Sequence, residues 1–177
     1  GLLPNTAYLW EVYSYNEGAL STTSASGNQA TNACSISGTF SVGPTGTYQR
    51  IGQADTALVN AGLTGPVVLE LQSTYVSSVE TFPITLRAVP CASAVNTITI
   101  RPETGATGLN ITSANTTTTI DINGGNYYII DGRPGGTGSA RGMQVANTSA
   151  ATGGTAIRFI NEGSNNTVKY CVLKAAF

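Results

Sequence analysis

Thr119-Ile120-Asp121-Ile122-Asn123-Gly124-Gly125-Asn126-Tyr127-Tyr128-Ile129-Ile130 reads as a strand, an Asn/Gly turn and a second strand. Thr and Ile suit a pleated, half-buried surface, and Asn and Gly accept the backbone of a sharp turn. The same order returns in Ala156-Ile157-Arg158-Phe159-Ile160-Asn161-Glu162-Gly163 and then Asn165-Asn166-Thr167-Val168-Lys169-Tyr170-Cys171-Val172-Leu173. Strict alternation fails in that last segment, because Lys169, Cys171 and Leu173 share a parity. A bend near Tyr170 restores it, with Val168 pointing inward before the bend and Cys171 and Leu173 after it.

Working outward, short strands separated by turn residues are expected at 67–71, 83–86, 96–100, 118–122, 126–131, 142–146, 156–160 and 167–173. Taking Ile100 and Ile122 as equivalent gives a step of 22 positions, within the range of stacked repeat units. Ile122 to Ile160 gives 38 positions, read as a longer coil in which the Gly-rich stretch 132–138 protrudes as an insertion. Short strands, sharp turns and drifting parity predict an all-β chain wound as a right-handed parallel β-helix. A second sandwich is the alternative, but it needs Asn-Gly hairpin turns, which are scarce here.

One helix is expected. After a strand at 38–43 and a turn at 44–46, Thr47 reads as an N-cap for a helix running to about Ala61. Ile51, Ala54, Leu58 and Ala61 form one apolar stripe, and Gly62 is a suitable stop. That stripe is expected to lie across the first coil as an N-terminal cap.

Composition removes whole classes of chemistry. Charged residues are 10 % of the chain and the net charge is −1, against about 25 % charged residues in ordinary domains. No basic footprint for nucleic acid or for a membrane surface follows from that, and no run of apolar residues is long enough to insert in a membrane. There is no His, so Ser-His-Asp, Cys-His and His-zinc arrangements are unavailable. The three cysteines, Cys34, Cys91 and Cys171, are widely spaced; they read best as half-buried thiols, with one pair at most. No cofactor motif or metal-ligand cluster is seen.

The first residues run Leu2-Leu3-Pro4-Asn5-Thr6-Ala7-Tyr8-Leu9-Trp10-Glu11-Val12-Tyr13-Ser14-Tyr15-Asn16-Glu17-Gly18. This resembles the closing strands of fibronectin type III domains. The resemblance implies that Tyr8 is the tyrosine corner and that Trp10 and Val12 face the sandwich core. Small polar residues at 19–33 fit a last edge strand leading into a linker. The domains expected are therefore 1–33, the remnant of such a sandwich; 34–66, the cap; and 67–177, the first coils of a truncated β-helix.

Gly38-Thr39-Phe40-Ser41-Val42-Gly43-Pro44-Thr45-Gly46-Thr47-Tyr48, the helix, and Gly62-Leu63-Thr64-Gly65-Pro66-Val67-Val68-Leu69-Glu70-Leu71 resemble a recurrent opening of β-helix regions. Those regions belong to large secreted and surface proteins of the Bacteroidota. The resemblance covers roughly 34–177 and implies export, often by the type IX route, with roles in adhesion or glycan contact. It implies partners among surface glycans or other envelope proteins, and no assigned chemistry. Asp55-Thr56-Ala57 fits the O-glycosylation acceptor pattern of these bacteria.

Glycoside hydrolysis needs two carboxylates about 5–10 Å apart. Glu103, Asp121, Asp131 and Glu162 fall in no such cluster, so no catalytic residue is assigned. Asp121 should face outward near Arg158 of a neighbouring coil, and one of Tyr127 and Tyr128 should face out where it can stack on a sugar ring. Tyr127, Tyr128, Asp121 and Arg158 are thus the candidate glycan contacts. Thr116–119 hints at an ice-binding threonine array, and the loop from Arg133 to Arg141 at an anion contact; a solvated face and a floppy insertion explain them better. The function expected is a non-catalytic structural or adhesive module. The alternative is part of a polysaccharide-binding or polysaccharide-degrading β-helix whose site lies on further coils. A coil edge left open near Val172, Leu173 and Phe177 should make the isolated chain associate.

Overall fold

A computed structural model describes residues 2, 6–16, 18–30 and 33–176. Leu3, Pro4, Asn5 and Glu17 of the fibronectin-like run, and Phe177, lie outside the described residues. The chain is mostly β, with 48 % of residues in strands and 10 % in helix. It divides into two compact units, Gly1–Cys34 and Ser35–Phe177.

The first unit is an antiparallel pair, β1 (Ala7–Asn16) and β2 (Ala19–Ala30). β2 takes up most of the 19–33 stretch expected as an edge strand and linker. Trp10 and Val12 are exposed rather than core, because this unit has no second sheet of its own among its described residues. The Trp10 ring covers Gly27 instead, and a Cβ at that position would approach it to 2.7 Å.

The second unit consists of parallel strands in three sheets. One sheet holds β3 (Ile36–Val42), β4 (Leu63–Leu71), β6 (Ile98–Pro102), β9 (Tyr128–Asp131) and β12 (Thr167–Lys169). A second holds β7 (Leu109–Ser113), β10 (Met143–Asn147) and β13 (Cys171–Ala175). The third holds β5 (Ile84–Arg87), β8 (Thr118–Asn123) and β11 (Thr155–Ile160). From β6 onward the chain visits the sheets in one unvarying order, first, second, third, so each circuit lies in register on the one before it. Inward residues stack in columns, such as Leu69–Ile100–Ile130 and Leu86–Ile122–Phe159. Most of these are fully buried and form one apolar core.

Two readings of spacing are corrected by this register. Ile100 and Ile122 belong to different sheets; Ile100 pairs with Ile130, and Ile122 pairs with Leu86 and Phe159, not Ile160. β7 was not expected, because its polar sequence shows only Leu109 and Ile111 as alternating apolar residues. The bend at Tyr170 is present: its φ is +53° between β12 and β13, and Val168 and Cys171 pack against the core.

Helix α1 (Ile51–Ala61) buries Ile51, Ala54 and Leu58 completely and packs on β3, β4 and β5. It starts three residues later than Thr47 would place it, with Arg50 as N-cap and no cap bond from that side chain. The carboxylate of Glu80, from a distant loop, accepts the free Ile51 and Gly52 N–H groups instead. Gly62 ends the helix at φ +65°, its N–H reaching the Leu58 carbonyl at 2.8 Å. The 132–142 loop does not protrude freely. A Cβ on Gly132 would run into the Tyr170 carbonyl, and one on Gly142 would press on Pro134.

Candidate functional site

The outward positions of the parallel sheets place charged residues of successive circuits side by side. Asp121 of β8 and Arg158 of β11 are register partners. The guanidinium donates twice to the carboxylate, Nε at 3.1 Å and Nη2 at 2.6 Å. The Asp121 side chain is 5 % exposed and that of Arg158 39 %, so the strip expected from sequence exists with its acid buried beneath its base. These hydrogen bonds hold the Arg158 guanidinium above its ordinary pKa.

A second group lies on the first sheet. Asp131 receives Arg133 through Nε and Nη2, and Lys169 approaches it to 3.5 Å. Burial pushes the Asp131 carboxyl up, but the Arg133 hydrogen bonds and the Lys169 and Arg133 charges outweigh it and hold the acid below its usual range. Arg133 also covers the Tyr170 ring at 4.5 Å. Arg133 is thus engaged twice, so the loop, expected as a floppy insertion, is pinned at that residue.

The third group was not legible as a site. Asp55 of α1, 1 % exposed, accepts the Arg87 backbone N–H at 3.0 Å, Arg87 Nε at 2.8 Å and the Tyr128 hydroxyl at 2.8 Å. The same Tyr128 proton is shared with the Arg87 carbonyl at 3.0 Å, and Tyr128 is itself 1 % exposed. Burial first, and the Asp55 carboxylate second, push its phenol well above its ordinary pKa. Tyr128 therefore cannot touch a sugar; it ties β9 to α1 through Asp55 and to β5 through the Arg87 carbonyl. Tyr127, at φ +62° ahead of β9, is half-buried and joins neither pair. The only sequence signal for this cluster was a carboxylate on the helix face that also carries Ile51, Ala54 and Leu58.

The remaining motifs resolve structurally. Thr118 and Thr119 are fully buried, Thr119 donating to the Ala146 carbonyl at 2.7 Å, so they present no flat threonine array. Thr56 of the acceptor motif donates to the Gly52 carbonyl and accepts from Arg87, while its Asp55 neighbour is buried. Cys34 and Cys91 form a disulfide rather than remaining thiols, and Cys171 is free. Among the described residues no group of three or more His, Cys, Asp or Glu is placed to hold a metal ion, and no helix is long and apolar enough to cross a membrane. Comparison with protein-family models, curated proteins and solved structures found no match for the chain.

Proposed function

We propose that the chain is a structural and adhesive module of a large secreted or cell-surface protein. In this reading the three-sheet unit is a right-handed parallel β-helix with α1 as its cap, and β1–β2 are the last strands of a fibronectin type III-like sandwich. The surrounding protein is of the Bacteroidota surface type, exported by the type IX route. The observation that carries the reading is the unvarying sheet order from β6 onward combined with charge neutralisation of the buried carboxylates. Asp55, Asp121 and Asp131 are each buried against a guanidinium, which suits a rigid display surface. A carboxylate used as general acid or nucleophile must instead be free to exchange a proton or attack. The disulfide is compatible with an oxidising compartment.

Antibodies raised to the chain should label intact cells of the source organism as strongly as permeabilised ones. Labelling that appears only after permeabilisation overturns the extracellular reading. Release of reducing ends from a polysaccharide by the purified chain overturns the non-catalytic one.

A further inference from the structure

Alongside α1, wholly within the second unit, lies an open cleft of about 820 Å³. One wall carries Arg50, Gln53, Thr56 and Asn60; the other is formed by Thr85 and Arg87 of β5 and the loop before it. We propose that this cleft binds an acidic polysaccharide, with Arg50 reading the carboxylate of a uronate unit.

The charges around the cleft decide the sign. Asp55 and Glu80 lie at its base, yet neither is left to act as an acceptor for a ligand. Asp55 is satisfied by Arg87 and Tyr128. Glu80 takes two helix N–H groups and the Tyr75 hydroxyl at 2.8 Å. Arg50 is exposed and, among the described residues, forms no ion pair. Arg87 remains 44 % exposed at its side chain while Asp55 and Thr56 fix two of its nitrogens. One cation is therefore free, and a second is held rigid with donors to spare.

The lining chooses the polymer. Amides and hydroxyls from Gln53, Thr56, Asn60 and Thr85 match a polyhydroxylated chain, and the aliphatic side chains of Val76 and Val79 line a separate hollow that shares Arg50. Thr85 is also the register partner of Asp121, which holds Arg158 on the next strand out. A linear polymer leaving the cleft along this outer face meets a second preset guanidinium about 10 Å beyond Thr85, two strand spacings away. The site thus joins the Asp121–Arg158 strip to a cavity that the sequence did not suggest.

The proposal rests on the adhesive reading only for the expectation that a polymer is met outside the cell. Its test is binding of the 177-residue chain to polygalacturonate, dextran and polyglutamate at low and high salt. Polygalacturonate should bind, dextran more weakly, and added salt should narrow the gap. Arg50→Gln should weaken polygalacturonate about fivefold, the contribution of one exposed charge pair. Asn60→Trp should block the cleft and abolish binding. Arg141→Gln, removing another exposed arginine outside the cleft, should change little, and all three variants should melt with the parent. Equal losses in Arg50→Gln and Arg141→Gln would mean charge attraction without a site and would overturn the proposal. So would polyglutamate binding tighter than polygalacturonate, or no binding to either acidic polymer. Any of these, with intact cells still labelled, removes the cleft and leaves the display module standing.

Discussion

Tyr128, Asp55 and Arg87 meet although residue 55 is separated from 128 by two strand circuits, and each satisfies a group that burial would otherwise leave costly. Tyr128→Phe removes the phenol donor from a carboxylate that is 1 % exposed, and should cost about 1–3 kcal/mol in a denaturant titration. Tyr75 is likewise pushed well up by burial and by Glu80. Both phenols hold their proton more tightly folded than unfolded, so their stabilisation is complete below the unfolded value of about 10 and is lost as pH rises past it. Melting temperature should fall above that pH, and less steeply in a variant with Phe at both positions. Cys171 is pushed up to about 11, by burial first and then by the Asp131 charge. It should react with a maleimide at pH 8 about a hundredfold more slowly than an ordinary thiol. After denaturation one thiol per chain should titrate without reductant, and three with it. At this scale the sequence showed which residues carry charge and that Asp121 and Arg158 would be neighbours. It hid the Asp55 cluster and the disulfide, since both join positions far apart in the chain and neither has a local pattern.

α1 was legible because its apolar stripe and Gly62 stop are local signals. Its first turn was not, because the group that caps it is Glu80 on another segment. Leu58 is fully buried beneath that helix. Leu58→Asp should therefore cost about 3–5 kcal/mol, the range for an unpaired buried charge, and an unchanged melting curve would show that the helix does not cover the first circuit. Glu80→Gln keeps the shape but weakens acceptance of the two helix N–H groups, and should lower stability by about 1 kcal/mol. Strands with strong alternation, such as β4, β6 and β8, were readable. β7 was not, and the step between Ile100 and Ile122 misled, because a three-sheet winding places similar apolar strands in different walls. Periodicity finds a strand's inward face but not which sheet it joins.

In the second unit the two ends are unequal. At the first end, α1 packs on β5 and the short 3₁₀ turn Ser77–Val79 lies against β7. At the other, Phe159 and Leu173 occupy inward columns above Ile122 and Val145, yet each is about half exposed. The chain should consequently bind ANS and show concentration-dependent association in sedimentation experiments. Phe159→Thr combined with Leu173→Thr should reduce both, whereas a parent chain that is monomeric and ANS-silent would show this end to be self-sufficient. The mostly β character was legible from turn chemistry and strand propensity; the spacing between register partners was not, since loops of unequal size separate equivalent strands. On the first sheet Glu70 pairs in register with Arg101 and Asp131 with Lys169, Arg101 and Asp131 each following the paired residues Ile100 and Ile130, with Glu70 and Arg101 bonded at 2.8 Å. Because the signs alternate, a chain that skipped a layer while zipping up would set Lys169 against Arg101, or Asp131 against Glu70. Those four residues work as a parity check on assembly: correct stacking sets Glu70 against Arg101 and Asp131 against Lys169, and a miscount of one meets repulsion.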